Sequence, residues 1–534
     1  QVQSDNQVLN LTPFEVRFNE NRNFFTEGTE LFSKGGLFYS RRIGGSPLHF
    51  WDVQAAANEA IKKNPAESKL VNATKISGRM QSGLGIGVLN AVTRPQYATI
   101  ENVNTKEERK IETDPLTNYN VLVLDQTLKN NSSVSLVNTN VWRAGKDYDA
   151  NVTAALFDFN DKKNTWNLGG QAALSQLIGY LPSGKTETGY KQALYFGKTS
   201  GRFNFNISHE LTDTRYNHRD LGYFTNNNFL DHSLYMGYRW MKPRAWYNRL
   251  FLNFNAWHSK LLTPVPGIDV THQNTGVGIN MNGQTKKLWF VGMNMNMNFT
   301  EHDFYEPRWT GWYFQRNPRI GMGFWVNSNE AKKYSFGAEL FGRTFFNFYD
   351  ARGVTASLSQ NIRFNNKFSL RHVVEVDKAP NNMGYAWSQN ASEIIFARRK
   401  RTTVENILNL KYNFTNMMGL TLRTRHYLAT VLNKEFYTLR KDGRLDAKPT
   451  FNRNLDQNVN FFNIDMVYTW QFAPGSFLNL VWKNAIVDFK NKVERDYFRN
   501  LSRTLETDQN NNISLKVIYF LDYLQLKRGS RKNS

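Results

Sequence analysis

Six charged residues lie close together near the start of the chain: Glu20, Arg22, Glu27, Glu30, Arg41 and Arg42. Carboxylates and guanidiniums brought to one wet surface can bind a solute, gate a channel, or exchange protons with a substrate as general acid and base. The same six can instead form an ion-paired lattice that locks one segment onto another, because charges inside a protein are retained when they are paired. Phe24, Phe25, Phe38 and Tyr39 are the packing anchors such a lattice needs. Other chemistry is poorly served. There is no Gly-x-Ser-x-Gly elbow, His-Glu-x-x-His zinc helix, EF-hand loop or phosphate-binding glycine loop, and no helix follows Gly85-Ile86-Gly87 or Gly276-Val277-Gly278. His209-Glu210 lacks the second histidine of a zinc helix. His218 with Asp220, and His302 with Glu301 and Asp303, lie in long loops where a divalent ion could find ligands. The expectation is no catalytic set, no metal centre and no cofactor.

The elements that must position the cluster are legible further along. In residues 461–489, Phe462, Ile464, Met466, Tyr468, Trp470 and Phe472 share one face, while Asn463, Asp465, Thr469 and Gln471 lie on the other with Val467. That is a strand at a period of two. Ala473-Pro474-Gly475-Ser476 turns the chain back into Leu478, Leu480 and Trp482, making an antiparallel hairpin. The sharpest case is FVGMNMNMNFT, where Met293, Met295 and Met297 alternate with Asn294, Asn296 and Asn298. One such strand fits a soluble sandwich equally well. Counting them from 72–80 to 512–525 gives 21, linked by short turns such as RFNNKF that alternate with long polar connections such as 211–228, 300–317 and 431–456. Short turns on one rim and long loops on the other describe an antiparallel transmembrane β-barrel, so the expected fold is all-β. A single-chain bacterial barrel should have an even number of strands. The expectation is therefore about 20, within 16 to 22, with LFYSRRIG or a stretch around 385–397 as candidates for a missed strand.

Composition agrees. The mean hydropathy is −0.57 and only 40% of residues are hydrophobic. No run approaches the roughly 18 apolar residues of a membrane helix, and a barrel that is apolar at every second position gives such an average. Aromatics at 14% suit interfacial girdles. The formal charge of +22 is spread through hairpins, with runs at Arg398 to Arg401 and Lys527 to Lys532, and no recognition module accompanies it. The basic residues therefore read as a solvated rim or as partners for lipopolysaccharide head groups or an anionic solute, not for nucleic acid. There are no cysteines, hence no disulfide and no acyl-anchor motif. The chain begins Gln1-Val2-Gln3, as a processed mature form or the C-terminal part of a longer product would. Residues 1–70 alternate poorly and read as an N-terminal plug-like segment, with 50–64 as a short helix carrying Val53, Ala56, Ala57, Ala60 and Ile61 on one face. The barrel then takes 71–526 and a basic tail 527–534.

The run LTPFEVRFNENRNFFTEGTELFSKGGLFYSRRIGG, residues 11–45, resembles the Bacteroidetes envelope proteins that carry a C-terminal domain of unknown function numbered 5916. The matching positions are Glu20, Arg22, Phe24, Phe25, Glu27, Gly28 and Phe38 to Gly44. The resemblance continues in KISGRMQSGLGIGVLNAVT, RDLGYFTNNN and WQFAPGSFLNLVWKN. Asn23 stands where that family usually has proline, which loosens a turn. The carbohydrate-binding family 9-like β-sandwich that usually precedes the domain is absent from these residues. What the resemblance implies is an outer-membrane barrel in a Gram-negative envelope, with no established activity; some members carry a label of membrane-associated hydrolase. A fold does not transfer an activity. The expected function is a plugged or gated channel, or an envelope scaffold, handling a polar or glycan-type solute, with outer-membrane lipid, lipopolysaccharide and other envelope proteins as partners. The alternatives are an envelope hydrolase with a lumenal site and a TonB-dependent-like receptor, against which the short N-terminal region counts.

Overall fold

Alternating β-branched, aromatic and polar residues form the strands that their period dictates. A computed structural model describes residues 5–520, and the fold is all-β, dominated by a large antiparallel sheet. Each of the 21 alternating segments is a strand.

One compact unit consists of Phe14–Tyr238 and Phe254–Thr275. In it the sheet runs as a meander through β1 Leu70–Arg79, β2 Leu84–Thr93, β3 Thr117–Thr127, β4 Ser133–Arg143 and β5 Asp149–Asn160. It continues through β6 Trp166–Ile178, β7 Glu187–Lys198, β8 Phe203–Thr212 and β9 Phe229–Trp240. Alternation is strict: Ser135, Val137, Thr139 and Val141 are buried while Val134, Leu136 and Trp142 are exposed. β10 Tyr247–Lys260 and β11 His272–Thr285 follow.

The other unit contains Gln1–Pro13, Arg239–Asn253 and Gly276–Ser534. From Gly276 of β11 its sheet passes through β12 Phe290–Asn298, β13 Arg319–Asn327, β14 Tyr334–Phe345 and β15 Arg352–Arg363. β16 Phe368–Asn390, β17 Glu393–Asn413 and β18 Met418–Leu439 are its long central strands. β19 Gln457–Ala473, β20 Ser476–Lys490 and β21 Gln509–Ile518 complete it. The 461–489 hairpin has the expected register, with Met466 opposite Trp482 and Tyr468 opposite Leu480. Its turn places Gly475 at φ +72°, which suits the third position of a turn with proline at the second.

Three expectations need correction. Residues 50–64 are not a helix: Phe50–Asp52 is one 3-10 turn and Glu59–Lys63 is a strand. That strand pairs with Gln96–Asn102, which pairs with Glu108–Asp114, in a separate three-stranded sheet. The Arg109 Nη2 to Glu59 Oε2 contact at 2.7 Å fixes it, so tertiary pairing overrides the local helix pattern. LFYSRRIG is no strand either; Ser40–Arg42 is a 3-10 turn. The stretch around 385–397 is not a strand of its own but the ends of β16 and β17, which meet at residues 391 and 392. Register shifts between Ala379 and Asn382, Tyr385 and Trp387, and Ser388 and Asn390 break the period of two there. Residues 521–525 of the last expected strand and the tail 527–534 lie outside the described residues. A helix that alternation could not reveal, α1 Tyr497–Leu505, is capped by the Asp496 side chain, which accepts from the Arg499 amide at 2.7 Å. Among the described residues no helix is long and apolar enough to cross a membrane.

Candidate functional site

The N-terminal segment covers one face of β2 to β6. Leu31, Phe32, Leu37 and Ile43 are buried against Leu89, Ala91, Val121, Val123, Val137 and Val141. Small strand residues make this possible: a Cβ on Gly87 would lie 3.3 Å from Leu31 and 3.4 Å from Phe32. One carboxylate anchors the segment electrostatically. Asp125 is 1% exposed and receives Lys34 Nζ at 2.9 Å, Arg79 Nη2 at 2.6 Å and the Ser135 hydroxyl at 2.6 Å. Lys75 donates to the carbonyls of Phe24 and Glu27.

The six expected site residues divide. Glu20 and Arg22 form a clasp, Arg22 giving Nε at 2.9 Å and Nη2 at 2.8 Å to the two carboxylate oxygens, while the Ser40 hydroxyl adds a contact at 2.6 Å. The same guanidinium donates to the carbonyls of Ile43 at 2.8 Å and Ser40 at 2.7 Å and lies over the Phe25 ring. Arg42 pairs with Glu15 and donates Nε to the Gly222 carbonyl at 2.9 Å. Arg41 donates to the Asn19 carbonyl. These contacts tie residues 15–22 to 40–43. Glu27 and Glu30 stand apart: both are exposed, and the Glu30 carboxylate meets Arg79 at 3.4 Å. Glu20 also lines a cavity of about 250 Å³ with Arg17, Tyr39 and Lys75.

Burial alone would raise the Glu20 carboxyl, but the hydrogen bonds from Arg22 and Ser40 outweigh it and hold it at about 2. A depressed carboxyl contributes stability that is complete above its unfolded value near 4.5 and is lost as pH falls towards 2. At about 1.4 kcal/mol per pH unit, the clasp is expected to contribute about 3 kcal/mol at neutral pH. Denaturant midpoints between pH 5 and 3 should fall in the native chain and less steeply in Glu20→Gln. Parallel curves would remove the clasp from the stability of the fold.

The loop histidines are committed elsewhere. His218 is buried against Tyr216 and Phe224, and burial, then the charge of Lys191, pushes its imidazole down to about 4. Asp220 takes Arg143 Nη2 at 2.5 Å and the Tyr148 hydroxyl at 3.0 Å. Glu301 and Asp303 face Arg319 at 3.2 Å and Arg316 at 2.8 Å. Among the described residues no three potential ligands converge as a metal site.

In the unit containing β12 to β21, register assembles a second charged site that sequence reading missed. One face of the sheet carries Arg319, Arg343, Asp377, Arg401, Glu405, Arg423 and Arg425, with Asp377 opposite Thr355 and Thr403, and Arg401 opposite Ala379. Arg316, Arg319, Arg343, Arg352, Arg399 and Arg401 line a cavity of about 260 Å³, together with Glu301 and Glu306. Asp377 bridges Arg401 at 2.7 Å and Arg343 at 3.5 Å. Burial raises the Glu306 carboxyl, which accepts the Tyr385 amide at 3.0 Å. The run Arg398 to Arg401 is thus no uniformly solvated rim: Arg398 pairs with Glu435 while Arg399 lines the cavity. The available signal was parity, since Arg399 and Arg401, and Arg423 and Arg425, are spaced by two.

Residues 5–13 form a strap along this face. Arg425 donates Nη1 to the Gln7 carbonyl at 2.9 Å, Arg423 reaches Asn6 at 2.6 Å, and Arg308 donates to the Leu11 carbonyl at 2.6 Å. Helix α1 docks on the opposite face of β17 to β19, with Asn500 accepting from Asn458 at 2.8 Å and the Tyr497 hydroxyl 2.8 Å from His426. Fixed guanidiniums of this kind bind and orient anions. A family model described as a domain of unknown function (DUF5916) matches residues 1–530. No curated protein matches the chain.

Proposed function

This chain belongs to the DUF5916 family, and from that premise we propose that its sheet closes into a β-barrel of the Gram-negative outer membrane, plugged by its own N-terminal segment. The barrel acts as a gated channel or scaffold that handles a polar or glycan-type solute, with outer-membrane lipid and lipopolysaccharide around it and other envelope proteins as partners. One observation carries the reading: apolar side chains form continuous exposed bands on one face of the sheet, while the chain's own segments cover the other. Met293 lies opposite Phe324, and Phe324 opposite Leu340, all about half exposed. Ile76, Val88 and Leu122 repeat the pattern across β1 to β3. Water disfavours a surface of this kind, whereas the outward band of a membrane barrel requires it. Among the described residues there are 21 such strands, so closure would take one parallel pair, because the first and the last of them run the same way.

Catalysis is not part of the proposal. Glu20, the most enclosed carboxylate of the N-terminal cluster, is held ionised by Arg22 and Ser40 and is poorly placed to give up or take a proton. Incubation with peptidoglycan, lipopolysaccharide and polysaccharide fragments should give no products by mass spectrometry. Turnover abolished by Glu20→Gln would replace this reading with a hydrolase.

The absence of cysteine makes the barrel itself testable with single introduced thiols. In proteoliposomes, cysteines at Met293, Met295, Phe324 and Leu340 should resist a membrane-impermeant maleimide and quench with lipid-borne spin labels, whereas those at Asn294 and Asn296 should not be quenched. Full labelling of the four apolar positions, with no lipid quenching, would exclude a bilayer.

A further inference from the structure

We propose that the arginine-lined cavity in the unit containing β12 to β21 is a binding site for a small solute bearing an oxyanion, as a phosphate ester or a carboxylate does. This goes beyond the channel reading and holds whether or not the sheet spans a membrane.

Three observations carry it. The first is charge: six arginines and two glutamates line one cavity. Burial, which disfavours the charged form, works on Glu306 and reduces the negative contribution further.

The second is Arg399, which is 5% exposed. Its Nε donates to Asn382 Oδ1 at 2.8 Å and its Nη1 to the Tyr385 carbonyl at 3.0 Å. Both acceptors are neutral. Its Nη2 makes no hydrogen bond among the described residues, and no carboxylate there forms an ion pair with it. A guanidinium cannot shed its proton to escape burial, so a buried one calls for a counter-charge. The neighbouring carbonyls do not supply one, and Glu306, a carboxylate that attracts it from beyond ion-pair distance, is itself pushed by burial towards its neutral form.

The third is pre-organisation. Glu301 holds Arg319 by Nη2, and Asp377 holds Arg401 by Nη2. The Nε of each is buried without an acceptor. These forks are fixed by their far ends while other donors stay unused, an arrangement that lowers the ordering cost of binding an anion. At about 260 Å³ the cavity lies just below the roughly 300 Å³ at which drug-sized pockets begin, which selects a compact ligand. Phe345, Phe348 and Met383 supply an apolar wall for its body.

The test is calorimetric titration of the full chain in detergent at low salt with inorganic phosphate, glucose 6-phosphate, glucuronate and glucose. At least one anion should bind and glucose should not, and affinity should fall as sodium chloride is added. Binding of glucose 6-phosphate without glucuronate assigns the phosphate ester, and the reverse assigns the carboxylate. Arg399→Lys, which keeps the charge but loses the fork, should weaken binding about tenfold or more. Should that variant fail to fold, Arg352→Gln serves instead. Its side chain is 61% exposed at the mouth of the cavity, so it can be changed with little strain, and it should weaken binding several-fold. No heat with any anion, equal binding of glucose, or affinity unchanged in a folded variant would overturn the proposal.

Discussion

Asp125→Ala is expected to detach the N-terminal segment from its sheet. The wild-type carboxylate is fully enclosed and answers two cations, Lys34 and Arg79, as well as the Ser135 hydroxyl. Removing one partner of a buried pair costs about 3 to 5 kcal/mol, chiefly because the remaining charge is stranded. Here the remaining charges keep 29% and 31% side-chain exposure and can recover part of their hydration. The lower end, about 3 kcal/mol, is therefore expected. Backbone pairing from β1 to β6 does not run through this carboxylate, so the strands should stay paired while residues 20–45, left with the packing of Leu31, Phe32 and Leu37 alone, become more open to protease. Limited proteolysis with mass-spectrometric mapping reads this directly. Wild-type cleavage rates with an unchanged denaturant midpoint would mean that apolar packing alone retains the segment.

The second large effect separates the two faces of β12. Met295 lies opposite Ile279 on one side and Met322 on the other, and all three are more than 40% exposed. If that surface meets lipid, Met295→Arg places a charge in an apolar band, at about 2 to 4 kcal/mol near the bilayer midplane. Asn296→Arg one residue later points to the opposite face, where its partners on the two neighbouring strands are Gly278 and Gly321, which carry no side chains. It should cost under about 1 kcal/mol, the range of a tolerated polar substitution. Denaturant titration in liposomes measures both. Equal losses would sink the assigned orientation of the strand.

Much of this was legible in the residue pattern, and the failures have physical causes. Alternation such as Met293-Asn294-Met295-Asn296 fixes a strand because neighbouring side chains must point to opposite faces, and it serves equally well along the whole sheet. It failed at 379–401, where the register shifts set side chains out of phase, and β16 and β17 were expected to be some ten residues shorter than they are. Residues 56–61 carry small apolar residues at helical spacing, yet Glu59–Lys63 finds a strand partner in Gln96–Asn102 and pairing decides the matter. Glu20 and Arg22 were identified together because the clasp is local. Their counterpart Asp125 was not, since nothing near it in the chain distinguishes it from any polar residue on a strand. The arginine cavity was hidden for the same reason: Arg319, Arg343 and Arg401 meet only once four hairpins are in register.

The strap formed by residues 5–13 also sets an order of events in folding. Gln7 meets Arg425 across 418 residues of sequence, and Leu9 meets Tyr427 across another 418. Closing a loop of that size has an entropic cost that grows only as the logarithm of its length, but the contact cannot exist until β18 has been made and paired. Residues 5–13 precede every strand of the sheet in sequence and are thus among the last to lock, because contacts so remote in sequence are the slow ones. Hydrogen exchange during refolding should protect the amides of β2 to β6, which pair with near neighbours, well before that of Leu9. A strap added last is also the part most easily lifted without unzipping a strand, so opening at this end of the chain requires no rearrangement of the sheet.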